Sequence, residues 1–140
     1  MREFFIPIAL GAGLSLAGFA WSAPAQDILR GYETEARQSN AGFKPNAARG
    51  EAFFRSEHAS TKGDGNKLSC TVCHTSDPRQ SGMTRAHKSI EPLAPVANPA
   101  RFSDAAKVEK WFGRNCQDVL ERACTAAEKA DFIQWLLTVR

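Results

Sequence analysis

The segment Cys70–His74 constrains this chain more than any other, because it reads Cys-Thr-Val-Cys-His. On one turn of helix, the side chains at positions i, i+3 and i+4 share a face. Cys70 and Cys73 can therefore reach the edge of one porphyrin, and His74 follows directly and can reach its iron. This spacing is typical of a covalent c-type haem, with two thioether bonds from the cysteines and the histidine as proximal iron ligand.

Two other kinds of site use paired cysteines, and the sequence favours neither. A thioredoxin-like redox pair belongs to a βαβ pattern, which is not found here. A zinc site would need a second matched pair, and Cys116 and Cys124 are too widely spaced to supply one. The motif therefore predicts one haem c per chain.

Residues 1–25 predict a cleaved signal peptide. Arg2 gives a charged start, residues 4–19 are apolar, and Ala-Pro-Ala at 23–25 offers a cleavage site, with Ala-Trp-Ser at 20–22 as a second candidate. The apolar run is short for a membrane span and has no basic flank that would stop transfer. We expect export to the periplasm.

Residues 26–140 would then form one small domain, which we expect to be a monomer. The net charge of the whole chain is +3, and its basic residues are scattered, so nothing indicates nucleic-acid binding. An oxidising compartment suits both haem attachment and disulfides. There, Cys116 and Cys124, eight positions apart, predict an intramolecular disulfide.

The hydrophobic pattern predicts an all-α fold with a few short helices around one covalently bound haem. Helices are predicted over Asp27–Arg37, from an N-cap at Asn46 to about His58, from an N-cap at Ser103, and from a capping box at Thr125–Glu128. The last helix carries an apolar stripe of Phe132, Trp135, Leu136 and Val139.

Two glycines and one histidine inside these patterns need interpretation. Gly50 indicates a close crossing with another helix, because a helical glycine otherwise costs about 1 kcal/mol relative to alanine. Gly113 is expected to break or end the helix that begins near Ser103. His58 is interpreted as a surface residue without a role.

The stretch 75–101 predicts an irregular wrap around one haem edge, because four prolines exclude a long helix. Apolar residues spaced three apart could line that edge: Ile90, Leu93 and Val96. Arg85 and Lys88 could reach the haem propionates, although either could equally be a solvated charge.

The distal iron ligand decides the function, and the residues leave several candidates. Met83 and His87 are of the usual ligand types, but they lie only nine and thirteen residues after His74. Asn115 directly precedes Cys116, so a disulfide there would aim it rigidly. Asn115 could equally be a helix C-cap in the left-handed conformation.

Three segments resemble the sphaeroides haem protein family: Val108–Cys116 followed by Cys124, Glu91–Pro95, and Gly31–Glu33. The resemblance covers about residues 27–137 in the same order. It implies a class I-like cytochrome c fold, and the family's disulfide maps onto Cys116 and Cys124.

The resemblance also implies a ligand set and a function. The oxidised haem would be ligated by His74 and by an asparagine side chain that maps onto Asn115. Reduction would release the asparagine, and the open ferrous iron would bind oxygen or nitric oxide. The implied electron donors are a di-haem cytochrome c and a membrane b-type cytochrome. Neither Met83 nor His87 belongs to that ligand set.

Three functional hypotheses follow. The first is an electron-accepting cytochrome that binds a diatomic gas at the reduced haem. The second is a plain electron carrier with Met83 or His87 as sixth ligand. The third is an enzyme that converts nitric oxide and oxygen to nitrate; we do not favour it, because no general acid or base stands out in the sequence.

Overall fold

The computed structural model describes residues 23–63 and 65–140. The predicted signal peptide lies outside the described residues except for its last three positions, with which the first helix begins. Within the described part of the chain, no helix is both long enough and apolar enough to cross a bilayer.

The described residues form five α-helices and two very short antiparallel hairpins, which confirms the all-α prediction. The helices are α1 (Ala23–Ser39), α2 (Ala47–Arg55), α3 (Thr71–His74), α4 (Ala105–Val119) and α5 (Ala126–Thr138). Strand β1 (His58–Ala59) pairs with β2 (Lys67–Leu68), and β3 (Gly82–Met83) pairs with β4 (Ser89–Ile90). A short 3₁₀ turn occupies Thr61–Gly63.

Helix α5 forms the centre of the core and packs against both α1 and α2. Its predicted capping box is confirmed: the Thr125 hydroxyl accepts from the Glu128 N–H (3.2 Å), and the Glu128 carboxylate accepts from the Thr125 N–H (2.8 Å). The aromatic rings of the core stack edge-on or tilted at 4.9–6.0 Å between centroids: Phe54, Phe112, Phe132 and Trp135.

The predicted close crossing at Gly50 is also confirmed. A Cβ at this position would overlap the carbonyl oxygen of Asp131 and lie 2.9 Å from the Phe132 nitrogen, so only glycine lets α2 and α5 approach this closely. The buried Asp131 carboxylate strengthens the crossing. It accepts from the Arg49 guanidinium (2.7 and 2.8 Å) and from the backbone N–H of the N-cap residue Asn46 (2.7 Å).

Three predicted helices have other ends in the structure. Helix α1 (Ala23–Ser39) extends beyond the predicted Asp27–Arg37 at both ends. Helix α2 stops at Arg55 rather than near His58, because His58 joins β1 and pairs with Leu68. Ser103 is not an N-cap: its hydroxyl donates to the Ala100 carbonyl (2.8 Å), and Asp104 accepts from the Lys107 N–H (3.0 Å) instead.

The prediction that Gly113 breaks or ends its helix is wrong. Helix α4 continues through it to Val119, because Phe112 and Cys116 on the same apolar stripe are both buried. The burial of this stripe offsets the cost of an exposed glycine. Asn115 is therefore an interior residue of α4, and the alternative that it is a left-handed C-cap is wrong, since the helix is capped by Leu120.

Candidate haem site

The Cys-x-x-Cys-His motif forms a single turn of helix. The carbonyl of Cys70 accepts hydrogen bonds from the N–H groups of Cys73 (3.3 Å) and His74 (3.1 Å), and this turn gathers all three side chains. Both thiols are half-buried and are not bonded to each other. Burial raises the pKa of Cys70 to about 11, and the neighbouring Cys73 adds to this rise. A protonated thiol of this kind is unlike the reactive thiolate of a redox pair.

His74 is half-buried and neutral. Burial lowers its pKa to about 4, and the charge of Arg101 lowers it further. A neutral imidazole is the form that binds a metal ion, because its nitrogen lone pair is free. The donor set of this turn, two unbonded thiols and a neutral imidazole, therefore fits haem c.

Arg101 is a residue of this site that the sequence analysis missed. Its guanidinium is partly buried and donates to the carbonyls of Pro92 (3.0 and 2.8 Å) and Glu91 (2.7 Å). Burial lowers its pKa relative to the usual value of an arginine. Arg101 therefore ties the two ends of a proline-rich loop together and brings a positive charge near His74.

The stretch 75–101, predicted to be irregular, contains regular structure and folds back on itself. It contains the β3–β4 hairpin, and the carbonyl of Pro78 accepts from the N–H groups of Leu93 and Ala94 (both 2.9 Å). Of the apolar residues expected to line a haem edge, Leu93 belongs to the protein core, Ile90 is half-buried and Val96 is 49% exposed.

Helix α4 has one flank that packs and one that faces outward. On the packed flank, Glu109 accepts from the Lys129 ammonium (2.8 Å) and the Tyr32 hydroxyl (2.7 Å), which joins α4 to α5 and α1. On the other flank, Trp111 is 43% exposed, and Asn115 follows one helical turn later, also exposed. No hydrogen bond of the Asn115 amide is found within residues 23–63 and 65–140.

The segment that leads to the helical turn of Cys70–His74, called the haem turn below, is joined to the end of α4. The Ser60 hydroxyl donates to the Asp118 carbonyl (3.2 Å), and the Lys62 ammonium pairs with the Asp118 carboxylate (2.5 Å). The disulfide between Cys116 and Cys124 anchors the same turn of α4, with 5.6 Å between the two Cα atoms. The structure thereby brings the chain just before Cys70 and the last turns of α4 to one side of the molecule.

Three further predicted residues lie on the hairpin or close to it. Arg85 is exposed, and its guanidinium donates to the carbonyl of Lys62, so the possible propionate contact stays a prediction. Met83 is 54% exposed on β3. His87 is exposed at the hairpin turn, with a φ of 58°.

Exposed apolar side chains are few in the described part of the chain, and several border this region. Val72 lies inside the haem turn, Val96 in the wrap, and Trp111 on the open flank of α4. An apolar group bound here would remove part of that surface from water, which is favourable.

Comparisons with known proteins agree with this arrangement. Residues 40–136 match a family model described as a domain of unknown function, DUF1924. The cytochrome c-type protein SHP of Cereibacter sphaeroides is 47% identical over 136 residues, which covers 97% of this chain and 98% of that protein. A solved structure of oxidised SHP, an oxygen-binding cytochrome c, superposes with a TM-score of 0.70 at 48% identity, and the match covers 81% of this chain and 95% of that one.

A second relative is more distant in sequence. The solution structure of cytochrome c'' from Methylophilus methylotrophus, which concerns haem-ligand detachment, superposes with a TM-score of 0.72 at 35% identity. The match covers 82% of this chain and 93% of that one. The shared fold and the Cys-x-x-Cys-His turn define a c-type cytochrome with a haem c cofactor. The chain belongs to the sphaeroides haem protein family.

Proposed function

We propose that this protein is a periplasmic cytochrome that accepts electrons and binds a diatomic gas at its reduced haem. One haem would be attached through Cys70 and Cys73, with His74 as proximal ligand and Asn115 as a distal ligand that leaves on reduction. Haem c supplies an iron that takes up one electron and, when its distal position is open, a diatomic gas. Following the family resemblance, the electron donors would be a di-haem cytochrome c and a membrane b-type cytochrome.

The position of Asn115 carries this proposal. Its backbone is helical and lies next to the disulfide-bonded Cys116, while its amide is exposed and has no hydrogen bond within residues 23–63 and 65–140. The amide is therefore available to bind, and the anchored backbone limits its motion to rotation of the side chain. An exposed carboxamide of this kind could bind the iron and leave it again without breaking a hydrogen bond to the described residues.

The redox dependence follows from the donor atom. A carboxamide oxygen is a neutral, hard donor, and hard donors prefer the higher charge of ferric iron to that of ferrous iron. A carboxamide ligand from Asn115 would therefore be held more weakly once the haem had taken up an electron. Because the neighbouring Cys116 is anchored by the disulfide, the amide would stay close enough to bind again on reoxidation.

The relatives support two parts of the proposal. SHP, at 47% identity, is an oxygen-binding cytochrome c, which supports gas binding here. Cytochrome c'' at 35% identity is associated with haem-ligand detachment, which supports a ligand that can leave the iron.

The competing candidates are Met83 and His87, and their surroundings favour them less. Gly82 faces the backbone of α3, and successive side chains of a strand point to opposite sides, so Met83 points away from the haem turn. His87 occupies the exposed hairpin turn, where the Thr84 carbonyl accepts from its N–H (2.9 Å). Either residue as ligand would make the protein a plain electron carrier.

Ferric absorption spectra of four variants distinguish Asn115 from Met83 and His87 as the distal ligand. We expect Asn115→Ala to change the ferric spectrum, and Met83→Ala and His87→Ala to leave it as in the wild type. Gln117→Ala is the matched control, because it removes another exposed carboxamide from the same helix. A ferric spectrum that changes in Met83→Ala or His87→Ala but not in Asn115→Ala would overturn the proposal.

A further inference from the structure

Gly82 lies directly against the end of the haem turn. A Cβ built on it would overlap the carbonyl oxygen of Cys73 and lie 3.0 Å from both the Cys73 carbonyl carbon and the His74 Cα. These are backbone atoms, which cannot rotate out of the way as a side chain can. Strand β3 and helix α3 are thus in contact through their backbones, with no space for even a methyl group.

The hairpin that carries Gly82 cannot easily retreat. Gly82 is paired with Ile90 across the hairpin, and the turn is closed by a hydrogen bond from the Thr84 N–H to the Lys88 carbonyl (2.8 Å). The Thr84 hydroxyl accepts a further one from the Lys88 N–H (3.0 Å). The pairing and hydrogen bonds of the β3–β4 hairpin therefore hold Gly82 in place against helix α3.

Thr75 holds the other side of the same turn. It follows His74 with φ 62° and ψ 174°, a conformation that a β-branched residue rarely adopts. Its hydroxyl donates to the Asp77 carbonyl (3.0 Å). The chain therefore leaves His74 abruptly and turns back within a few residues towards Gly82.

From these contacts we propose that Gly82 and Thr75 are positioning residues, which together fix the backbone of His74 and so the angle of its imidazole towards the iron. This inference rests on the proposed function in taking His74 as proximal ligand and, for its test, in taking the distal position to be open in the reduced protein. Each would act through the backbone of Cys73 and His74 rather than by contact with the haem.

Resonance Raman spectra of the reduced holoprotein test the inference, because the iron–histidine stretching band reports the orientation of the proximal imidazole. We expect Gly82→Ala to shift or split this band. Gly50→Ala is the matched control: its added Cβ would also overlap a backbone carbonyl oxygen, that of Asp131, but at the α2–α5 crossing. Both variants should unfold at lower denaturant concentration, and only Gly82→Ala should move the band.

A second variant keeps the test decisive if Gly82→Ala does not fold. Thr75→Gly removes the side chain that makes the positive φ unfavourable, and this gain offsets the lost hydrogen bond to the Asp77 carbonyl, so the variant should still fold. We expect its iron–histidine band to broaden as the imidazole samples more angles. An unchanged band in both variants, or an equal shift in Gly50→Ala, would overturn the inference. Absence of any iron–histidine band in the wild-type reduced protein would instead show that the distal position stays occupied or that His74 is not the proximal ligand, and would overturn the proposed function.

Discussion

Asn115 lies one residue before Cys116 in α4, and Cys116 is joined by a disulfide to Cys124, just before α5 begins. Both cysteines are buried, whereas Asn115 is exposed on the adjoining face of the helix. The disulfide therefore anchors the backbone of this turn to the core and leaves the amide outside it. In the proposed function, this relationship would keep the backbone of Asn115 in place while its side chain binds the iron or leaves it.

Removing the disulfide should weaken both the fold and the return of the distal ligand. We expect the double variant Cys116→Ala/Cys124→Ala to lose about 2–3 kcal/mol of unfolding free energy, because the open loop regains conformational entropy in the unfolded chain. Denaturant unfolding of the ferric protein measures this loss. Stopped-flow reoxidation should show a slower recovery of the ferric spectrum, and recovery at the wild-type rate would show that the anchor does not matter to Asn115.

The α2–α5 crossing should depend on the ion pair of Arg49 and Asp131. Arg49→Ala leaves a carboxylate of 8% side-chain exposure without its cation, so we expect a loss of about 1–3 kcal/mol of unfolding free energy. Arg55→Ala on the same helix is the control. It breaks an exposed pair with Glu51 and should cost well under about 1 kcal/mol. Equal losses in the two variants would contradict the role given to Asp131.

Glu109 should make the fold sensitive to acid. Hydrogen bonds from Lys129 and Tyr32 hold the pKa of its carboxyl below the usual 4.5. Because the folded pKa is the lower one, this stabilisation is fully present above pH 4.5 and is lost as the pH falls towards the folded value. We expect Glu109→Gln to lower the unfolding free energy at pH 7, since Lys129 is nearly buried, and to lose less on acidification than the wild type.

Denaturant titrations at pH 7 and at pH values below 4.5 measure this difference. Glu57→Gln, at an exposed position in the segment after α2, is the control and should follow the wild-type profile. Equal losses of unfolding free energy on acidification in Glu109→Gln and the wild type would show that Glu109, with its partners Lys129 and Tyr32, is not the source of the acid sensitivity.

Features set by a few neighbouring residues could be predicted from the sequence. The capping box at Thr125 and the N-cap at Asn46 involve contacts within one helical turn, so residue type and spacing suffice. The crossing at Gly50 was predictable because a glycine inside a helix has a cost that close packing can offset. The haem turn belongs to the same group, since the three residues of its motif lie within one turn.

Features that depend on tertiary packing could not be predicted from local sequence patterns. Gly113 carries the local signal of a helix end, but burial of Phe112 and Cys116 keeps the helix intact. Arg101 binds carbonyl groups nine and ten residues earlier, and this contact leaves no periodic pattern. Gly82 looks like any loop glycine until the hairpin brings it against the backbone of Cys73.

The most direct test of the account is the absorption spectrum of the reduced wild-type protein, recorded before and after addition of carbon monoxide. If Asn115 leaves the iron on reduction, the reduced protein should show the broad bands of high-spin haem. Carbon monoxide should then convert them to the sharp bands of a six-coordinate complex. Sharp low-spin bands in the reduced protein that carbon monoxide leaves unchanged would show that a strong ligand such as Met83 or His87 stays bound, and would contradict the account.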